Sequence, residues 1–215
     1  MIYKSIFHNE NNENTYLVYD ELTRNGVIID PGCTMDKIEE LIDENGVNVK
    51  YILLTHCHYD HIENVNPLKE KTGAVVVTGD KGAENVCDVS KNLSSFGLGY
   101  EINDVKSDII LKDGEELKLD SLTFKCIYTP GHTDCCVCYL CDNELFSGDT
   151  LFLRTVGRWD LPTGDFSALE KSIKEKLYTL PDSTGVHPGH GNSTTLENER
   201  KYNPYMRNIY NDNLY

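Results

Sequence analysis

The sequence predicts an α/β fold of two β-sheets packed together and covered by helices. Three observations point there. The apolar runs are short (residues 27–29, 51–54 and 74–77), the length of buried strands, and none nears the roughly 18 residues of a membrane helix. Strand-like and helix-like stretches alternate in both halves of the 215-residue chain. No low-complexity linker or internal repeat divides it, so one domain over residues 1–215 is expected.

Residues 1–7, 15–19 and 26–29 read as strands, with a polar turn over 9–14. A helix begins at Thr34, carries Ile38, Leu41 and Ile42 at helical spacing, and stops at Gly46. Residues 49–54 form a strand, 62–71 a helix ending at Gly73, and 74–78 another strand. Residues 82–104 lack periodicity and read as a short helix plus a mobile loop, with 90–100 placed to gate a site. Asp113-Gly114 between 109–111 and 115–119 signals a hairpin. Strands follow at 122–128, 135–141 and 144–147. A helix over 166–178 is marked by Leu169, Ile173 and Leu177, four apart, and a last strand falls at 184–187 before one or two short tail helices.

With 39% hydrophobic and 26% charged residues, the composition suits neither a disordered nor a membrane chain. The net charge of −15 repels phosphate backbones, and there is no basic patch, so nucleic acid is not an expected partner; nor is a membrane. The first residues carry no export signature, so a soluble cytoplasmic protein with eight reduced cysteines is expected. Monomer and homodimer are both compatible with this reading.

The chemistry concentrates at strand ends. Thr55-His56-Cys57-His58-Tyr59-Asp60-His61 follows the strand 49–54. His56 and His58, two apart, share a side of an extended segment, while Asp60 and His61 come after the chain turns. So dense a cluster, if buried, is costly without a cation; as a solvated loop it would be inert. Three more strand ends each contribute one candidate beside glycine: His132 in Pro130-Gly131-His132-Thr133, Asp149 in Ser147-Gly148-Asp149-Thr150, and His190 in Pro188-Gly189-His190-Gly191. The nitrogen and oxygen ligand set suits Zn best, and Fe or Mn as well.

With Asp30 in Ile28-Ile29-Asp30-Pro31-Gly32, these motifs in this order resemble the metallo-β-lactamase fold superfamily. The resemblance implies an αβ/βα four-layer sandwich of two mixed sheets flanked by helices, with two divalent metal ions at the sheet edges. His56, His58 and His132 would hold the first ion, Asp60, His61 and His190 the second, and Asp149 would bridge them. Asp30 would be a supporting group that orients a ligand; a plain turn residue is the alternative. A metal-bridging hydroxide would attack a carbonyl carbon with no protein nucleophile, and Asp60 would also orient that hydroxide.

Residues 148–165, with Gly157-Arg158-Trp159-Asp160, and the stretch from Pro188 to Pro204 resemble the single-domain glyoxalase II-like branch, the hydroxyacylglutathione hydrolases. That branch implies hydrolysis of a small-molecule thioester. Full glyoxalase II adds a helical C-terminal domain with glutathione contacts, and about two dozen residues after His190 leave no room for one. Arg158 is a candidate for pairing with a substrate carboxylate, against a structural ion pair with Asp160 or Asp165. Leu153-Arg154 and Gly157–Asp160 also resemble persulfide dioxygenases, which would use one iron at the positions of His56, His132 and Asp149. A non-catalytic metal-binding role is the second alternative.

Cys135, Cys136, Cys138 and Cys141 read as small buried apolar residues, and Cys57 as facing away from the histidines. Cys33 lies near the Asp30 turn and is a candidate for oxidation. His187 reads as a partly exposed strand residue and His8 as unrelated. Tyr202, Tyr205, Tyr210 and Tyr215 read as helix packing in the tail.

Overall fold

A computed structural model describes residues 1–7 and 12–205. Its first sheet has the order β1 (Ile2–Phe7), β2 (Asn14–Tyr19), β3 (Asn25–Ile29), β4 (Asn48–Leu53), β5 (Val75–Gly79) and β6 (Ile109–Leu111). β1 to β3 pair antiparallel and β3 to β6 parallel. The second sheet has the order β14 (Thr194–Thr195), β13 (Gly185–Pro188), β10 (Glu144–Gly148), β9 (Val137–Cys141), β8 (Leu122–Tyr128) and β7 (Glu116–Leu119), with one parallel pair, β10 with β13. A small hairpin, β11 (Leu151–Phe152) with β12 (Thr155–Val156), follows β10.

Period-two alternation assigns each face. On β2, Tyr16 and Val18 point between the sheets, where they join Val27, Ile29, Phe124, Tyr139 and Phe146. Leu17 and Tyr19 point the other way, into a layer with Ile38 and Leu41 of α1 (Met35–Asn45) and Leu68 of α3 (Val65–Thr72). Beyond the second sheet, Cys138, Leu145 and Val186 meet Leu169 and Ile173 of α7 (Phe166–Glu175). Three apolar layers thus separate four layers of structure, the expected arrangement of two mixed sheets flanked by helices.

Three expectations need correction. Asp113-Gly114 turns the chain, but not into a hairpin: β6 pairs with β5 in one sheet and β7 with β8 in the other. Leu111 and Leu117 enter the inter-sheet core from opposite sides, so this turn carries the chain across. The tight hairpin lies between Leu119 and Leu122, with Asp120 at φ 52°. The helix expected over 62–71 is two helices, α2 (Tyr59–Ile62) and α3, joined at Asn64. Pro67 has no N–H and is tolerated only in a first turn, so the helix restarts just before it. Residues 82–104 hold three single-turn helices, α4 (Gly82–Asn85), α5 (Val89–Asn92) and α6 (Ser94–Gly97), in place of one helix and a loop. The last described helix, α8 (Leu196–Tyr202), is one of the tail helices expected. His8, Tyr210, Tyr215 and the first half of the turn at 9–14 lie outside the described residues.

Candidate metal centre

Every candidate side chain sits where a strand ends. Asp30 follows β3, His56 and His58 follow β4, His132 follows β8, Asp149 follows β10 and His190 follows β13. His58 precedes α2, which carries Asp60 and His61 on its single turn. The two sheets are tied together at this loop: Tyr139 Oη donates to the Leu54 carbonyl at 3.0 Å, and the Val137 N–H donates to the Thr55 carbonyl at 2.8 Å.

The ligand-type atoms of His56, His58 and His132 all lie within 4.8 Å of one another, as do those of Asp60, His61 and His190. Asp149 stands between the groups. Its Oδ1 is 3.5 Å from His61 Nε2, and its Oδ2 is 3.4 Å from His132 Nε2 and 3.6 Å from His190 Nε2. Gly189 permits this closeness, since a Cβ there would lie 2.2 Å from Asp149 Oδ1 and 2.7 Å from the His61 ring.

Asp30 is held in the left-handed region at φ 50°, a conformation Asp tolerates better than most residues. Its Oδ1 accepts from the Thr55 N–H at 2.8 Å. Its Oδ2 accepts from Thr55 Oγ1 at 2.6 Å and is 3.0 Å from His61 Nδ1. That contact favours the proton on Nδ1 and leaves His61 Nε2 toward the cluster. His132 is oriented likewise, its Nδ1 2.7 Å from the Arg158 carbonyl. The last loop is clamped by β2: Asn14 Nδ2 donates to the Pro188 and Gly191 carbonyls, and Tyr16 Oη to Pro188. The Arg158 carbonyl and Asn14 carry no chemical signal in the sequence, because one acts through its main chain and the other through loop carbonyls. Glu13, fully buried and the bridge partner of His190, likewise carries no sequence signal; burial pushes its carboxyl well above the usual range.

The electrostatics calls for a cation. Burial, reinforced by the neighbouring imidazoles, holds His56 well below the ordinary histidine range. Burial and His132 bring His58 down to about 3. Burial disfavours charge on His61 too, yet Asp149, Asp60 and Asp30 outweigh it and push His61 well up. Asp60 is raised by burial but brought below its usual range by His61 and His190. His56 Nε2, His58 Nε2 and Asp149 Oδ1 are buried with no hydrogen-bond partner. Unpartnered buried polar atoms are rare, and imidazole nitrogens beside carboxylates are the donor set of a divalent transition metal.

A cavity of about 670 Å³ opens onto Asp60, Asp149, His58, His132 and His190. Among the described residues that line it, there is no serine or cysteine. Arg158 stands at its wall and is engaged by Asp160 through bonds of 2.7 and 2.8 Å; the Asp165 carboxylate instead caps α7. Cys57 points away, its Sγ toward the Lys91 carbonyl, and Cys135, Cys136, Cys138 and Cys141 are buried free thiols. Cys33 is buried, and burial pushes its thiol up to about 11, which disfavours oxidation. Tyr205 packs near Trp159 and Tyr202 lies beside Arg154; neither lines the cavity. His187 is buried, not partly exposed, because Glu144, Ser193 and the Tyr3 ring enclose it.

Comparison with known proteins agrees with this architecture. Residues 8–190 match the metallo-beta-lactamase superfamily, and the chain belongs to that family of metallo-hydrolases, whose fold binds divalent metals. Hydroxyacylglutathione hydrolase GloC of Haemophilus influenzae is 32% identical over 197 residues, covering 90% of this chain and 92% of its own. Among solved structures, BLEG-1 B3 metallo-beta-lactamase superposes with a TM-score of 0.89 at 33% identity, covering 95% of this chain and 99% of its own. ETHE1 from Myxococcus xanthus gives 0.79 at 30% identity, covering 100% and 92%. TTHA1623 in a di-iron-bound form gives 0.79 at 34%, covering 94% and 99%. No described helix is long and apolar enough to cross a membrane.

Proposed function

We propose that this protein hydrolyses a small acyl thioester, in the manner of the glyoxalase II-like branch, with two divalent metal ions. The observation that carries the reading is the pair of three-residue clusters sharing Asp149, with buried nitrogens left unpartnered. His56, His58 and His132 would hold one ion, Asp60, His61 and His190 the other, with Asp149 between them; zinc fits this donor set best, and iron or manganese also fit. Bound there, the ions would ionise a water near neutral pH and polarise the thioester carbonyl.

The chain's own residues do the rest. Asp30 and the Arg158 carbonyl hold His61 and His132 in one tautomer. Asp60, at the cavity wall and 3.3 Å from His190, is placed to orient the attacking water. The absence of serine and cysteine among the described lining residues accords with direct attack by water. Arg158, the candidate for pairing with a substrate carboxylate, is held by Asp160 in an ion pair. The GloC relative supports the thioester as substrate class.

The likeness to ETHE1 favours a second reading, a mononuclear-iron persulfide dioxygenase-like enzyme. Metal analysis paired with a panel of acyl-thiols and persulfides separates the two. Hydrolysis predicts close to two metal ions per chain and release of thiol. One iron per chain, with oxygen uptake and sulfite from a persulfide and no thioester cleavage, would overturn it.

A further inference from the structure

We propose that the substrate lays an apolar group against a wall that includes Leu93, at the α5–α6 junction, and Phe96 of α6, and that its thiol carries no anionic arms. This deepens the thioester reading and rests on it. Leu93, Phe96, Phe152, Val156 and Leu161 line the cavity above the histidine and aspartate cluster. Phe96 is 91% exposed, a large ring at the mouth with little protein covering it. Such a ring is free to cover an incoming apolar group.

The wall is built in place. Leu93 sits at φ 61°, strained for a branched residue, between α5 and α6. Buried Asn92 holds it there: its Nδ2 donates to the carbonyls of Val86 and Ile102, and its Oδ1 accepts from the Ser94 N–H. Gly97 lets α6 seat on Tyr59, since a Cβ would lie 2.1 Å from that ring. Tyr100 Oη donates to Glu63 at 2.9 Å, a second tie. Both ties reach α2 or the residue after it, so the apolar wall is fastened to the turn that carries Asp60 and His61.

Charge argues against an anionic thiol. Among the described residues lining the cavity, Arg158 is the single Lys or Arg, and Asp160 already holds it in a bidentate pair. S-linked glutathione carries two carboxylates against one ammonium, and a chain of net charge −15 repels such a net anion at long range. A thioester of an uncharged thiol with an aliphatic or aromatic acyl chain fits this wall better.

The test is calorimetric binding of two thioethers to the metal-loaded protein: S-hexyl-N-acetylcysteamine, which is uncharged, and S-hexylglutathione. Both carry the same chain and neither can be hydrolysed. The uncharged compound is expected to bind at least about tenfold tighter, and Phe96→Ala to weaken it by about tenfold. Leu22→Ala, at a 92% exposed residue outside the cavity lining, is the control and should change nothing. Equal or tighter binding of the glutathione compound, no effect of Phe96→Ala, or no binding of either compound would overturn the proposal. Tight, Phe96-dependent binding in a protein inert toward every thioester would instead overturn the thioester reading.

Discussion

Buried His187 and half-buried His190 lie three residues apart at one strand end, and their environments differ in how the imidazole nitrogens are used. His187 has both satisfied: Nε2 is 2.6 Å from Glu144 and Nδ1 3.0 Å from Ser193 Oγ, with Tyr3 against the ring. In the cluster that includes His190, nitrogens face other nitrogens. His132 Nε2 is 2.9 Å from His58 Nδ1, His61 Nε2 is 3.3 Å from His190 Nε2, and His56 Nε2 has no partner. Neither pair of facing imidazoles is stable if both nitrogens carry a proton. Burial is common to both environments, so burial does not distinguish a metal site; convergence of unsatisfied lone pairs does.

The strongest way to break the contrast is Asp149→Ala. It removes the carboxylate that stands between the two groups, close to His61, His132 and His190, so metal content should fall well below two per chain and turnover by a factor of at least about 10³. Elemental analysis with steady-state kinetics checks both, and full activity would refute the shared-carboxylate mechanism. A smaller effect is expected from Asp30→Asn. The amide keeps the shape but can present an N–H where His61 Nδ1 needs an acceptor. Metal affinity should drop by about 10- to 100-fold in chelator competition, with the fold retained by circular dichroism. Unchanged affinity would reduce Asp30 to a turn residue.

The cluster was legible in the sequence because its ligands are chemically rare side chains placed after strands, and strand ends converge at one edge of a sheet. His56, His58, His132, Asp149 and His190 needed no knowledge of packing to be named. What orients them was illegible for a physical reason. The Arg158 carbonyl and the main chain of residues 188–191 are generic backbone, and their partners are set by tertiary approach. The same reason explains the misplaced hairpin: Asp113-Gly114 encodes a turn, whereas which sheet the chain joins afterwards depends on Leu111, Leu117 and Leu119 filling the inter-sheet core. Residues 82–104 read in the sequence as a short helix plus a loop because single-turn helices show no periodicity, and polar side chains such as Asn92 hold them in place of an apolar stripe.

His187 sharpens the contrast from the other side. Because it is spent on structure, His187→Gln should leave metal stoichiometry unchanged and cost roughly 1–3 kcal/mol of stability, the range for breaking buried hydrogen bonds. Its pH signature has a definite sign. Burial lowers the imidazole's proton affinity, and the Glu144 carboxylate only partly restores it, so the folded value lies below the unfolded one near 6.5. The unfolded chain therefore binds the proton first as pH falls. The stability contributed by neutral His187 is complete above pH 6.5 and is lost as pH falls through the folded value. The difference in melting temperature between the parent protein and His187→Gln cancels titrations common to both. That difference should narrow on acidification below pH 6.5 and stay flat above it. A widening difference would mean that the Glu144 contact outweighs burial and that His187 is charged in the folded protein. It would then be an ion-paired residue, and the line between the two environments would have to be drawn by charge as well as by free lone pairs.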